Sequence, residues 1–210
     1  MDILFTQVLH CWDKQMLEYK IAILPELLRE KILKKHRWQD RQLTAAGKLL
    51  LWKIIKNNGS EHLLNNDLNY DQYNRPFVNA DFDFNISHSG EIAGCAASFL
   101  NKVGFDLEKI KDIDISGFHR QFTESEWAAI IESENIIDQF YRHWTRKEAL
   151  AKVIGTGLNT EFNTLNVEMD EIFYRGTKYF LSDISLAQGY KACVVTSNAR
   201  ENITITQCFI

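Results

Sequence analysis

Proline is nearly absent from this chain: two residues in 210, beside ten glycines. That excludes collagen-like and linker-rich character. The four cysteines, Cys11, Cys95, Cys193 and Cys208, lie far apart and form no C-x-x-C pair, which speaks against a zinc site built on cysteine spacing. Cys95 and Cys193 stand in apolar stretches, the usual setting of a small buried hydrophobe. No apolar run approaches the roughly 20 residues that a membrane span needs. An excess of positive charge is also missing, and a net charge of −4 argues against a general nucleic-acid binder. The start, Met1-Asp2-Ile3-Leu4-Phe5, places an acid where a secretory signal carries positive charge. The expectation is a cytoplasmic protein with no nucleic-acid and no membrane partner.

What is present is ordinary for a globular protein: 45% hydrophobic and 25% charged residues. The length suits one domain or two halves of about 100 residues. The first part reads as helical. Pro25 can open a helix as its first-turn residue, and a second helix is predicted from about Asp40 to Lys56. Asn65–Asn74 is polar and reads as a loop. Ile92–Phe99 and Val103–Glu108 read as strands joined by a turn at Asn101-Lys102. Thr123-Glu124-Ser125-Glu126 is a capping box. A long helix is predicted over Ile136–Ile154, with Gly155 placed to end it. The rest, Phe162–Ile210, alternates as strands do. One internal echo occurs: Ile92–Ser98 resembles Tyr190–Thr196, each after a turn containing glycine, as two similar halves dividing near residue 100 would give.

Three short patterns carry chemistry. Asp106 and Glu108, one residue apart on a strand, share a face. Two such carboxylates repel, and a hard cation such as Mg²⁺ relieves them with oxygen ligands; two solvated strand acids are the bland alternative. Glu148 and Lys152, four apart on a helix, are either an exposed ion pair or a metal ligand or base beside a phosphate clamp. Ser87-His88-Ser89-Gly90 is polar and turn-like, and its hydroxyls, imidazole and backbone N–H groups suit a phosphate. From Arg29 to Lys56 stand nine Lys or Arg and two acids. Most of these charges read as a solvated helix face, and a subset could hold a multiply charged anion.

Taken in order, Phe84–Ser89 (F-N-x-S-H-S), Gly104–Glu108 (G-x-D-x-E) and Trp144–Lys152 (W-x-x-K-E-A-x-x-K) resemble the surfactin-synthetase type of 4′-phosphopantetheinyl transferase. The resemblance implies an α+β fold of two similar α/β halves related by pseudo-twofold symmetry, with the active site between them. Residues 1–100 would bind the coenzyme A phosphates and nucleotide. Residues 101–210 would carry the metal carboxylates and the catalytic helix. It implies Mg²⁺-dependent transfer of 4′-phosphopantetheine from coenzyme A to the serine of an acyl or peptidyl carrier protein, with release of 3′,5′-ADP. Asp106, Glu108 and Glu148 would hold Mg²⁺, Glu148 would take the serine proton, and Lys152 would contact the phosphates. Ser87 and His88 would bind coenzyme A phosphates, Arg75 and Pro76 would lie against the nucleotide, and Lys31 and Thr44 would contact phosphate, with Arg41 a weaker candidate. Two departures stand out: Asn74-Arg75-Pro76 replaces Gly-Lys-Pro, and Gly155-Thr156-Gly157-Leu158 lacks the usual lysine. Asp112–Phe122 is a candidate carrier surface, and a duplicated chain can build its site as a monomer. The competing readings are a Mg²⁺-dependent phosphodiesterase and a non-catalytic module that binds coenzyme A or a carrier.

Overall fold

Asp2–Gln7 forms a strand, β1, where the sequence shows no alternation. It pairs on both sides and is buried on both faces, so a continuous apolar run replaces the in–out pattern. The computed structural model describes residues 1–65, 69–70, 75–78, 81–155 and 160–210. The chain divides into two units, one of residues 1–100 with 202–210 and one of residues 101–201.

In the first unit, β1 is followed by α1 (Lys14–Ile21), α2 (Glu26–Leu33), α3 (Trp38–Asn57) and the short α4 (His62–Asn65). Then come β2 (Asn69–Tyr70), β3 (Pro76–Phe77), β4 (Asp83–Ser89) and β5 (Ile92–Ser98). Asp13 caps α1 by accepting a hydrogen bond from Met16 N at 2.8 Å. Pro25 takes the N-cap of α2 in an extended conformation, one position before the first turn. Leu50, Leu51, Ile54 and Ile55 of α3 pack with Leu4, Phe84, Cys95 and Ala97 of the sheet. A Cβ on Gly47 would come within 2.5 Å of Ile86 Cγ2, so glycine lets α3 settle onto β4.

The second unit begins with β6 (Val103–Lys109) and runs through α5 (Glu124–Ile131), α6 (Ile136–Ile154), β7 (Glu171–Tyr174), β8 (Thr177–Ile184) and β9 (Tyr190–Ser197). The capping box at Thr123 and Glu126 forms at α5, and Gly155 ends α6 with φ 83°. Ala149, Leu150 and Val153 of α6 pack with Tyr179, Leu181, Cys193 and Val195. The last strand, β10 (Thr204–Gln207), returns to the first unit and runs parallel to β1, so residues 202–210 leave the stretch 101–210 and complete the other sheet.

The two sheets are ordered β10-β1-β5-β4 and β6-β9-β8-β7. Each unit repeats one plan: a strand, a long helix, then a hairpin whose second strand pairs with the first. The plan reads β1-α3-β4-β5 in one and β6-α6-β8-β9 in the other. The sequence echo falls on β5 and β9, the equivalent strands.

Two local expectations change. Ser87-His88-Ser89 belongs to strand β4, paired to Gly94, Ala93 and Ile92; the turn starts at Gly90, with φ 58°. Cross-strand pairing overrides the polar composition there. The strands β5 and β6 are not hairpin partners, because β5 pairs with β1 and β4 while β6 pairs with β9. The Thr156-Gly157-Leu158 departure and Asn74 lie outside the described residues. Among the described residues, no helix is long and apolar enough to cross a membrane.

Candidate active site

Gly104 sets the geometry of the second unit's site. A Cβ there would overlap the Ala149 carbonyl oxygen and lie 2.7 Å from Val153 N, so the backbones of β6 and α6 touch. Two residues on, Asp106 points to the same face as Gly104, toward α6. The last turn of α6 lies beside it: Lys152 Nζ is 2.6 Å from Asp106 Oδ1 and donates to Phe105 O at 3.1 Å. Asp106 is buried and Lys152 half-buried.

Glu148, one turn before Lys152, shares this field. Burial pushes its carboxyl above the usual carboxylate range; Asp106 and Glu108 add to the shift and Lys152 opposes it. Three carboxylates and one ammonium thus act on each other in one place. Three hard oxygen donors under mutual repulsion suit a divalent cation such as Mg²⁺. Among the described residues, no three His, Cys, Asp or Glu side chains stand at spacing that would ligate one metal ion; at Asp106 the Lys152 ammonium supplies the positive charge.

The other motif lysine has a different setting. Lys147 is fully buried and pairs with fully buried Glu126 at 2.8 Å. Its ammonium also donates to Phe162 O at 2.7 Å and to Leu165 O. Glu126 accepts from Thr123 N and Val167 N, each at 2.8 Å. Burial pulls Lys147 down, against the opposing pull of Glu126. Arg146 is likewise held, with Nε and Nη2 each 2.7 Å from Asp183. Trp144 stacks with Phe140 and meets Phe118 and Phe162 edge-on. The middle of the helix motif therefore fixes α6, while Glu148 and Lys152 face the site. Beyond its place in the capping box, no local pattern marks Glu126 as the partner of Lys147.

In the first unit, the predicted residues separate. Ser87 and His88 are neighbours on a strand, so their side chains leave opposite faces. Ser87 is buried on the face that carries Asp83 and Asn85. Exposed His88 is on the face that Ile86 turns to α3; its partner Ala93 packs with Leu43 and Ala46, near Thr44. Thr44 is half-buried on α3 and Lys31 exposed on α2. Arg75, next to Pro76 at the start of β3, is tied to Asp83 at 2.6 Å. Arg41 donates to Lys35 O at 2.8 and 3.1 Å, which closes the end of α2. Lys48, one of the nine cations between Arg29 and Lys56, lies one turn beyond Thr44 on α3. Burial, aided by the Lys31 ammonium, pulls Lys48 down to about 8. In the segment 112–122, Ile113, Ile115, Phe118 and Phe122 join the aromatic cluster, leaving Asp112, Asp114, His119 and Arg120 outward.

Comparison with known proteins converges on one family. Residues 102–206 match the 4′-phosphopantetheinyl transferase superfamily, and residues 10–100 match 4′-phosphopantetheinyl transferase, N-terminal. The chain is 27% identical over 218 residues to 4′-phosphopantetheinyl transferase gsp of Aneurinibacillus migulanus, covering 98% of this chain and 90% of that protein. It is 32% identical over 174 residues to the L-aminoadipate-semialdehyde dehydrogenase-phosphopantetheinyl transferase of Xenopus laevis, covering 69% of this chain and 56% of that protein. It is 28% identical over 149 residues to 4′-phosphopantetheinyl transferase Sfp of Bacillus subtilis (strain 168), covering 68% and 65%. With residues 102–206 matched to one superfamily and 10–100 to its N-terminal region, the chain belongs to the 4′-phosphopantetheinyl transferases.

Proposed function

We propose that this protein transfers 4′-phosphopantetheine from coenzyme A to the serine of an acyl or peptidyl carrier protein, releasing 3′,5′-ADP, and that it acts as a cytoplasmic monomer. The observation that carries this reading is the match of residues 102–206 to the 4′-phosphopantetheinyl transferase superfamily, together with Lys152 Nζ set 2.6 Å from Asp106 Oδ1. Asp106, Glu108 and Glu148 are the residues that would hold Mg²⁺, which when bound neutralises charge on the diphosphate oxygens.

The chain's own residues supply the rest. Glu148, whose carboxylate is made more basic by burial and by its acidic neighbours, takes the proton of the attacking serine, directly or through water. The serine oxygen bonds to the β-phosphorus as the bond to the bridging oxygen breaks, and 3′,5′-ADP leaves with the electron pair. Lys152 meets the negative charge that grows on the phosphates. In the first unit, Lys31, Thr44, Arg75, Pro76, Ser87 and His88 contact coenzyme A. Lys48 joins Lys31 and Thr44, because an ammonium held under burial gains most from an arriving phosphate. The face opposite α3 then offers Ser87, and the α3 side offers His88.

The test is intact-mass analysis of apo carrier protein incubated with coenzyme A and Mg²⁺. A gain of one phosphopantetheine is expected; no gain with any of several acyl and peptidyl carriers overturns the reading. Glu148→Gln should keep coenzyme A binding and lose about 100-fold or more in turnover. Wild-type turnover in that variant removes Glu148 from proton transfer.

A further inference from the structure

We propose that β10 and the cavity beside it form a docking site for an extended segment of another protein, which pairs along the open edge of β10, places an apolar side chain in the cavity and sets an acidic one at Lys53. The site belongs wholly to the first unit and shares no residue with the candidate active site, so it stands apart from the transferase reading. β10 ends its sheet on one side: among the described residues, β1 is its one strand partner. Thr204 N donates to Met1 O and Cys208 N to Phe5 O. Alternate residues of a strand bond to opposite sides, so Ile205 and Gln207 turn their N–H and C=O groups to the open edge. All four residues of the strand are exposed. Ile203–Ile210 contains no charged residue and no proline, two features that commonly guard an edge against an added strand.

The cavity makes the edge selective. Its volume is about 340 Å³, at the small end of the range for ligand pockets, which gives room for one large side chain. Leu4, Ile54 and Cys208 give it apolar walls, and Asp2, Lys53 and Thr206 stand among them. Thr206 pairs with Leu4, which packs against α3 together with Cys208, so a strand laid along β10 sends alternate side chains toward the cavity. Asp2 is already answered by Asn58, whose Nδ2 donates to it at 3.2 Å. Lys53 is exposed and has no ion pair among the described residues. Charge complementarity therefore favours an acid on the same face of the incoming strand as its apolar anchor. Main-chain bonds supply the affinity of such a strand, and the cavity supplies its specificity.

The experiment pans a phage library of random peptides against the full chain and then measures the selected peptides, made synthetically, by fluorescence anisotropy. The selected peptides should carry a large apolar residue with Asp or Glu two places away. Ile205→Pro removes one outward N–H and leaves the bonds to β1 in place; it should weaken binding about tenfold or more. Thr206→Trp fills the cavity and should weaken it similarly. Lys53→Glu should cost the acidic peptides about tenfold. Where Ile205→Pro lowers the unfolding midpoint, Lys53→Glu, at an exposed helix position, carries the test in its place. Wild-type affinity in these variants, selection of peptides without the pattern, or selection of none overturns the proposal. A dimer of the chain that dissociates in Ile205→Pro overturns it also and assigns the edge to a second copy. Peptide binding needs no transfer activity, so failure of the transferase reading shows separately, as a wild-type enzyme that leaves every apo carrier unmodified.

Discussion

Leu4 and Asp106 hold the same place in two copies of one plan. Leu4 stands opposite Cys95 on β5, and Asp106 stands opposite Cys193 on β9. Both thiols are pushed up by burial. Around this shared frame the side chains differ. In the first unit the position is apolar and joins the α3 core. In the second it is a buried carboxylate clamped by Lys152, and two residues on Thr6 is answered by Glu108. The fold does not require the acid. The same strand, helix and hairpin plan takes leucine at this position in one unit and the acid in the other.

The units also differ in how the long helix is held. Residues Leu49–Ile55 of α3 include several apolar side chains packed in apolar clusters. The second helix adds a fully buried ion pair, Lys147–Glu126. Breaking that pair should give the largest effect. Glu126→Gln or Lys147→Met is expected to lower stability by about 3–5 kcal/mol in chemical denaturation, because one buried charge is left alone. The double replacement Glu126→Leu with Lys147→Met should recover much of the loss, making the second unit resemble the first. No recovery would mean that the carbonyl and amide bonds of the pair matter more than its charges.

The glycines sharpen the same contrast. Gly104→Ala puts a methyl against helix backbone and should cost about 3 kcal/mol or more, with transfer activity lost as Asp106 moves. Gly47→Ala would press on the Ile86 Cγ2 methyl at 2.5 Å, a side chain rather than backbone, and gains helix propensity of about 1 kcal/mol, so its net cost should be clearly smaller than that at Gly104. Similar costs at both sites would refute the difference in approach.

Smaller effects come from titrating groups. Lys48→Met should stabilise the protein by about 1–2 kcal/mol at pH 7 while weakening coenzyme A binding, since a desolvated charge is removed. With the Lys48 ammonium at about 8 in the folded chain and 10.5 as its ordinary value, the cost of that charge is complete below pH 8 and fades as pH rises toward 10.5. The variant's advantage should fade over the same window in thermal melts. The smallest effect is at His143, a buried imidazole whose Nδ1 lies 2.9 Å from Gln139 O. Burial holds it below its ordinary value of 6.5. The unfolded chain therefore takes the proton first, and stability falls as pH drops below 6.5. His143→Phe should flatten that part of the pH profile.

Sequence patterns announced what depends on local rules. The capping box at Thr123, the α6 span and its Gly155 stop follow from hydrogen bonds within a few residues. The shared face of Asp106 and Glu108 follows from strand period alone. What stayed hidden depends on partners far along the chain. No local signal marks β1, which is buried on both faces, or β4, whose polar residues are drawn into a ladder with β5. Lys147 and Glu126 looked like a motif lysine and a cap; only the fold brings them together across 21 residues.

The strand β10 gives the chain an order of assembly unlike its order of synthesis. Residues 101–201 form one continuous stretch, so the second unit has all its parts once that stretch has been made. The first unit does not: β1 waits for Thr204–Gln207 to cover its edge, and Cys208 N completes the pairing by donating to Phe5 O at 2.7 Å. A nascent chain therefore carries an uncovered apolar strand edge, an invitation to mispairing, until residues 204–207 have been made.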